Sequence, residues 1–306
     1  MISADNESFK PEAGRYHLYI SWACPWANRC AMVRVMKGLE TTIGLSVVHP
    51  TWGKTRPDNP QDSHTGWAFG ESGVAKVNVN GYGNVVVNDI KPDTINGCKY
   101  VRDLYDLSGA PPTYSVPILW DIKTKSIVNN ESSDIVLMLN SAFNEFAEKP
   151  NLDLAPVELK ASMDDLDSWI YNDINNGVYK CGFARSQEAY DKALKDLENA
   201  MGKLDCLLSD RKYVTGERFT MSDIRLFVTL IRFDEVYVVY FKCDSKKVSE
   251  YKNIMRYCKD VWKVPGIKET TKMDHIKGHY FTSHPHLNEL GIIPKGPNFI
   301  GQLEMK

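Results

Sequence analysis

The stretch RYHLYISWACPWANRCAMVRVMKGLE, residues 15–40, decides how the first half of the chain folds. Its opening residues alternate and are rich in aromatic and β-branched side chains, which predicts a strand. Cys24 and Pro25 follow at once, and apolar residues then recur at helical spacing. Residues 43–48, IGLSVV, predict a second strand. The order strand, sharp turn, helix, strand is typical of an α/β unit with a parallel pair of strands.

The next region has a different composition. Residues 49–95 are turn-rich, and within them VAKVNVNGYGNVVVND predicts a hairpin around Asn80-Gly81. We interpret this region as an insertion or a long functional loop. Beyond it, SVPILWD at residues 115–121 predicts a short apolar strand, and SIV at 126–128 predicts its hairpin partner.

Strand patterns end at about residue 150, and helical patterns continue from there. Thr220-Met221-Ser222-Asp223 is a capping box ahead of an apolar run. An α/β half followed by an all-helical half predicts two domains. We expect residues 1–148, with the insertion at about 49–95, to form the first domain and residues 149–306 to form the second.

Composition limits the classes of partner. Of 306 residues, 43% are hydrophobic and 25% charged, which is typical of a globular protein. The net charge of −2 gives no electrostatic basis for binding nucleic acid or an anionic membrane surface. No apolar run has the roughly 18 residues of a membrane span, and no secretory signal is visible. The seven cysteines include no CxxC pair, which favours a reducing, cytoplasmic setting.

Cys24 is the strongest candidate for a catalytic residue. It lies where a predicted strand ends and a helix begins, so unpaired N–H groups and the helix dipole favour its thiolate. Pro25 suits the first helical turn, where its missing N–H costs nothing. Because no second cysteine follows three residues later, a thiol from outside must regenerate Cys24, and the abundant cytosolic one is glutathione. The alternative is a cysteine that acts only as a small buried hydrophobe.

Two further features offer a place for glutathione. A cis Pro117 would present the backbone of Val116 to an extended peptide, whereas an ordinary trans proline at a strand start is the alternative. Glu131 and Ser132 begin a predicted helix, where backbone N–H groups and a hydroxyl suit a carboxylate. Glu131 can accept from an amino group, and a γ-glutamyl end carries both groups. Capping of the helix alone would explain the same residues.

These motifs resemble a known family. GRYHLYISWACPWANR, SVPILWD and NNESSDI, followed by WIYNDINNGVYKCGFARSQEAY and HIKGHYFTSH, are similar to the glutathione transferase superfamily and in particular to its Xi class, the glutathionyl-hydroquinone reductases. The resemblance covers residues 11 to 293 approximately. It implies a thioredoxin-like first domain, an all-helical second domain and a homodimer. It also implies glutathione as co-substrate, no metal, and release of glutathione from S-glutathionylated hydroquinones.

The resemblance assigns roles to single residues. It implies that Cys24 attacks the thioether sulfur, that the hydroquinone leaves, and that a second glutathione frees the resulting Cys24–glutathione disulfide. Tyr179 and Tyr280 would line the aromatic substrate pocket and stabilise the phenolic oxygen. The implied glutathione-binding residues are Trp67, Val116, Pro117, Glu131 and Ser132.

The sequence departs from the family pattern in two places. Asn28 stands where the family usually has a histidine after ACPWA. A basic residue that the family often places shortly before Val116 is missing, which leaves Arg15 or Lys54 as candidates to face a glutathione carboxylate.

Other functions are weaker hypotheses. His275 and His279 share a helical face at a spacing that can bind zinc, but no glutamate follows the first of them, so we predict no metal site. An Omega-like thioltransferase or dehydroascorbate reductase would also use a Cys-Pro at this position. A non-catalytic interaction module is the alternative from another class, although a scaffold has no need of a thiol at a helix start.

Overall fold

A computed structural model describes residues 1–305 and divides the chain into two compact units. The first unit comprises residues 1–152 and 269–294, and the second comprises residues 153–268 and the segment from 295 onward. No helix among residues 1–305 combines the length and the hydropathy that crossing a membrane requires.

The division differs from the expected domains at residues 1–148 and 149–306. The first boundary falls after Leu152, and residues 269–294 join the first unit rather than the helical one. The physical reason lies in buried histidines of that segment. His279 Nδ1 donates to the carbonyl oxygen of Pro50 at 2.9 Å, and His275 Nε2 donates to that of Asn88 at 2.5 Å.

The first unit is built on a four-stranded sheet in the order β2-β1-β5-β6. Strand β1 runs parallel to β2 and antiparallel to β5, and β5 pairs antiparallel with β6. A separate two-stranded sheet consists of β3 and β4. The strands are β1 Tyr16–Ile20, β2 Gly44–Val47, β3 Gly53–Lys54, β4 Thr65–Gly66, β5 Ile118–Asp121 and β6 Ser126–Asn129.

Helices pack on this sheet. Helix α1 packs against both β1 and α3, which is why all five residues of β1 are buried. The helices of this part are α1 Pro25–Lys37, α2 Val101–Ser108 and α3 Ser132–Ser141. The order of β1, α1 and β2 and the hairpin of β5 and β6 agree with the pattern that the sequence predicts.

Gly38 ends α1. Its φ of 65° is left-handed, and its N–H donates to the carbonyl of Val35 at 3.0 Å. A Cβ at this position would lie 2.6 Å from Cβ of Glu148, so both backbone conformation and space require glycine here.

The insertion at residues 49–95 is mostly irregular. Its predicted hairpin closes at Gly81, but Lys76 and Val85 pair as a bridge rather than within two extended strands. The Asn78 side chain accounts for this, because its Oδ1 accepts from the N–H groups of Asn80 and Tyr82 and so closes the turn tightly. Positive φ at Gly81 then interrupts extended backbone.

The second unit is helical. Helix α4 continues through a π-turn at Ile170–Asn175 toward α5, and α7 continues through another at Phe233–Tyr237 into α8. Helix α10, Ile267–Thr270, spans the second unit boundary, and α11, Met273–Thr282, belongs to the first unit. The helices of the second unit are α4 Lys160–Trp169, α5 Gly177–Gly182, α6 Gln187–Leu207, α7 Met221–Arg232, α8 Val238–Tyr240, α9 Lys252–Trp262 and α12 Phe299–Glu304.

The predicted capping box begins α7. Asp223 Oδ2 accepts from the backbone N–H of Thr220 at 2.8 Å. Asp223 is fully buried, and burial raises its pKa to about 6, against hydrogen bonds from Val214 and Thr220 that lower it. A buried carboxyl with several donors anchors this helix start rather than serving chemistry.

Candidate active site

Cys24 lies between β1 and α1 as the N-cap residue of the helix. Its backbone is extended, with φ −71° and ψ 119°, and Pro25 occupies the first helical turn. The Cys24 side chain is half-buried, and its Sγ lies 3.6 Å from the carbonyl oxygen of Val116. Both the helix start and partial exposure favour reactivity of a lone thiol.

Cys30, farther along the same helix, has a different environment. It is completely buried, and burial raises the pKa of its thiol. Its Sγ donates to the carbonyl oxygens of Trp26 at 3.5 Å and Ser132 at 3.8 Å. Cys30 is therefore a packing residue between α1 and α3.

Val116 contacts the Cys24 thiol, and Pro117 follows it directly. The peptide bond between them is cis, and Val116 is buried. Cys24 and Val116 are 92 positions apart in sequence, and the contact exists because β5, which begins just after Pro117, pairs with β1. The structure thus places the backbone of Val116 beside the candidate nucleophile.

Glu131 and Ser132 lie at the start of α3. Glu131 is its exposed N-cap residue, and its N–H donates to Oδ1 of Asn129 at 2.6 Å. Ser132 is buried, and its carbonyl accepts from Cys30 Sγ of α1. Cys30, in the middle of α1, therefore joins this helix to the start of α3, where Glu131 is exposed.

Asn130 is a site residue whose role the sequence analysis missed. Its Nδ2 donates to Thr113 Oγ1 at 3.0 Å and to Tyr105 OH at 3.2 Å. Tyr105 OH in turn donates to the carbonyl oxygen of Ser115, directly before Val116. Asn130 thereby fixes the loop that carries Val116 to the start of α3. The available signal was a second asparagine immediately before a predicted helix N-cap.

The rings of Trp67 and Tyr280 both contact the imidazole of His279. The Trp67 ring stacks on the His279 imidazole, with centroids 4.4 Å apart and planes at 27°. Tyr280 follows His279 on α11, with ring centroids 5.3 Å apart, and is 2% exposed. Trp52 packs edge-on against both Trp67 and His284, and burial lowers the pKa of His284 to about 4, so that imidazole is neutral at pH 7.

Tyr179 lies on α5 in the second unit. Its ring is half-buried and packs edge-on against Phe241 at 5.3 Å, with Tyr237 at 6.0 Å. Phe183, one helical turn later, is 43% exposed and nearly parallel to Tyr179. Tyr179 is thus part of an aromatic cluster with Phe183, which directly follows α5, and with Tyr237 and Phe241, which flank α8.

The two cations considered for a glutathione carboxylate have different environments in the structure. Arg15 is buried and pairs with Asp121, with Nη2 and Oδ2 2.6 Å apart, which ties it to the sheet. Lys54 is exposed on β3 and makes no ion pair with any residue from 1 to 305. Asn28, at the other departure from the family pattern, donates through Nδ2 to the carbonyl oxygen of Thr270 at 2.7 Å.

The histidines considered for zinc bond to backbone carbonyls instead. His275 and His279 each direct a ring nitrogen at the carbonyl oxygen of Asn88 or Pro50. In the part of the chain that the structure describes, no group of three or more His, Cys, Asp or Glu side chains could hold a metal ion.

Comparison with known proteins identifies the family. Models of the N-terminal and C-terminal domains of glutathione S-transferase match residues 23–142 and 184–260. Glutathionyl-hydroquinone reductase YqjG of Escherichia coli strain K12 is 42% identical over 293 residues, which cover 94% of this chain and 81% of that protein.

Solved structures agree. The Xi glutathione S-transferase of Phanerochaete chrysosporium has a TM-score of 0.86 and 40% identity, covering 97% of this chain and 94% of that one. The glutathione-bound structure of YqjG from Escherichia coli K-12 has a TM-score of 0.84 and 40% identity, covering 97% and 91%. The chain therefore belongs to the glutathione transferase family and, within it, to the Xi class.

Proposed function

We propose that this protein is a glutathionyl-hydroquinone reductase, which uses glutathione to release hydroquinones from their S-glutathionyl conjugates. The observation that carries the proposal is the half-buried Cys24 at the start of α1, with its Sγ 3.6 Å from the carbonyl oxygen of Val116. The name of the 42% identical relative from Escherichia coli supports the same reaction.

The proposed reaction has two steps. The Cys24 thiolate attacks the sulfur of the conjugate, a disulfide forms between Cys24 and glutathione, and the bond between sulfur and the aromatic carbon breaks. That carbon keeps the electron pair and takes up a proton, so the hydroquinone leaves. The thiolate of a second glutathione then attacks the mixed disulfide, which releases glutathione disulfide and restores Cys24. Overall, the aromatic carbon is reduced by two electrons, and the thioether sulfur of the conjugate and the thiol of the second glutathione are oxidised to glutathione disulfide.

Glutathione would be held by groups on three elements. The backbone of Val116 ahead of Pro117 would pair with the peptide, and Ser132 and Glu131 at the start of α3 would take its γ-glutamyl end. Trp67 would complete the glutathione site, as the resemblance to the Xi class implies.

The aromatic substrate would be met by tyrosines. We assign the hydroxyls of Tyr179 and Tyr280 to the phenolic oxygen, because a donor there stabilises developing negative charge on the leaving ring. We further expect a cytoplasmic homodimer. Size-exclusion chromatography with light scattering tests the dimer, and imaging of the fluorescently tagged chain in its own cell tests the compartment.

The sharpest test of the mechanism is the mixed disulfide itself. Intact-mass analysis after incubation with glutathione disulfide should show one added glutathione, and peptide mapping should place it on Cys24. Cys206, which is exposed in the second unit, serves as the internal control. An adduct on Cys206 with none on Cys24 would contradict the proposal.

Substrate choice separates this reaction from its nearest rival. With one enzyme preparation, an S-glutathionyl-hydroquinone should be turned over with one glutathione disulfide formed per hydroquinone released. Dehydroascorbate should be a poor substrate. Equal turnover of the two would favour an Omega-like dehydroascorbate reductase that also depends on Cys24.

A further inference from the structure

A cavity of about 530 Å³ lies in the first unit, beside β3 and the segment that follows Trp67. Its walls include the aromatic rings of Phe69 and Tyr100. Lys54, considered above as a partner for a glutathione carboxylate, lines it, but Cys24, Trp67, Val116, Pro117, Glu131 and Ser132 do not. It is therefore a space that the proposed reaction does not use, and its size is within the range of small-molecule sites.

The charge of the cavity is strongly positive. Lys54, Lys76 and Lys99 line it, and the one carboxylate in its wall is that of Glu71. None of the three lysines forms an ion pair with another residue between 1 and 305. Three ammonium groups around one space without carboxylate partners repel one another, and an anion in that space would relieve the repulsion.

A neighbouring cavity shows the opposite arrangement. It measures about 400 Å³ and shares Pro57, Lys99 and Tyr100 with the first. Its own cation, Arg56, forms ion pairs with Asp103 at 2.6 Å and with Asp106. The protein thus neutralises a cation on one side of the shared wall and leaves the lysines on the other side unpaired.

Lys76 occupies the least exposed position of the three. Its backbone is fixed by two hydrogen bonds with Val85, one in each direction at 2.9 Å. Its ammonium packs against Gly53, where an added Cβ would lie 3.4 Å from Nζ. Burial lowers the pKa of Lys76 to about 8, and no carboxylate offsets that effect. A protonated amine held in this way gains more from an anion than a solvated lysine does.

We propose that this cavity binds a small polyanion carrying two or more carboxylate or phosphate groups, with Lys76 as its central contact and Lys54 and Lys99 at its edge. Ammonium groups bind both kinds of anion as point charges. Glu71 offsets one of the three lysine charges, so a ligand with two negative charges balances the remainder, whereas a single carboxylate or a halide does not. The inference is independent of the reaction at Cys24.

Isothermal titration calorimetry on the full chain tests the site, with citrate and pyrophosphate as probes at constant ionic strength. We expect one site that binds either probe, and chloride at the same ionic strength should not compete. Lys76→Gln should weaken binding by about tenfold or more, because it removes the contact with the least solvent around it. Lys91→Gln is the matched control, since Lys91 is exposed nearby and does not line the cavity.

Two further measurements keep the proposal falsifiable if Lys76→Gln folds poorly. Glu71→Gln should bind both probes more tightly than the wild type, because it removes the repelling carboxylate. Saturating S-methylglutathione should leave citrate binding unchanged. Absence of citrate and pyrophosphate binding at millimolar concentration, equal binding by Lys76→Gln, or displacement by S-methylglutathione would each overturn a separate polyanion site.

Discussion

Two regions of the first unit hold functional side chains in different ways. Around Cys24, strands and helices hold the side chains in place: β1 and β5 pair along their length, and α1 and α3 pack together. In the insertion at residues 49–95, irregular backbone is held by single hydrogen bonds and ring contacts, such as Trp67 on His279. In the first region, the contacts fix the position of Cys24 Sγ. In the second region, they fix the position of the Trp67 ring. Substitutions should therefore affect chemistry in the first and binding or stability in the second.

The largest expected effect is at Cys24. Cys24→Ser should lower turnover of an S-glutathionyl-hydroquinone by about 10³-fold or more, because serine is a far weaker nucleophile and cannot form the mixed disulfide. Steady-state kinetics with matched circular dichroism spectra measures this. Cys30→Ala is the control on the same helix and should cost about 1 kcal/mol of unfolding free energy while keeping most of the activity. Unchanged turnover in Cys24→Ser would remove the basis for the proposed mechanism.

For the insertion, the contact to test is the stack between Trp67 and the imidazole of His279 on α11. His279→Ala deletes the stack on Trp67 and the hydrogen bond to the Pro50 carbonyl, and should cost about 2–3 kcal/mol of unfolding free energy. KM for glutathione should rise more than kcat falls, since the Trp67 ring loses its support. Chemical denaturation and steady-state kinetics measure the two effects, with exposed His286→Ala as control. A fall in kcat at constant KM would show that His279 takes part in the reaction rather than supporting the Trp67 ring.

Asn130 tests whether regular elements suffice around Cys24. Asn130→Ala releases the loop before Val116 from α3 and should cost about 1–2 kcal/mol of unfolding free energy. KM for glutathione should rise several-fold because the backbone of Val116 is less well placed. Titration of glutathione in the steady state measures this, and exposed Asn151→Ala should behave as the wild type. Wild-type kinetics in Asn130→Ala would mean that β5 alone positions Val116.

The smallest effect concerns pH and Lys76. Its pKa is lowered to about 8 in the folded protein from 10.5, so the unfolded chain binds more protons between these values and stability rises with pH across that window. Relative to Lys76→Gln, the wild type should gain less than about 1 kcal/mol between pH 8 and pH 10, because Lys76 is partly exposed and solvent screens its charge. Denaturation at several pH values measures the difference. A difference that is flat with pH would show that Lys76 titrates as a solvated lysine.

Local patterns predict the regular region well. Alternation in β1, helical spacing in α1 and the cap at Gly38 are properties of neighbouring residues, so the strand–Cys24–helix junction follows from them. Local patterns do not predict long-range contacts. The hydrogen bond of Asn130 to Tyr105 and the stack of Trp67 on His279 join residues whose proximity depends on the complete fold, and no periodicity records them.

The same reasoning explains why the two compact units differ from the expected domains. The helical patterns beyond residue 150 are consistent with α11, but the partner of a helix depends on side chains elsewhere. Here those partners are carbonyls of Pro50 and Asn88 in the insertion. The sequence likewise leaves the isomer of the Val116-Pro117 bond open, because tertiary context selects the cis form that the structure has.

The return of residues 269–294 to the first unit bears on how the protein is made. A ribosome releases the N-terminal residues first, yet the first unit lacks its final helix until α11 has been synthesised. The nascent chain through Leu152 carries Trp67 without the His279 ring that stacks on it. Completion of this unit is therefore a late event in biosynthesis, after the whole of residues 153–268 has been made.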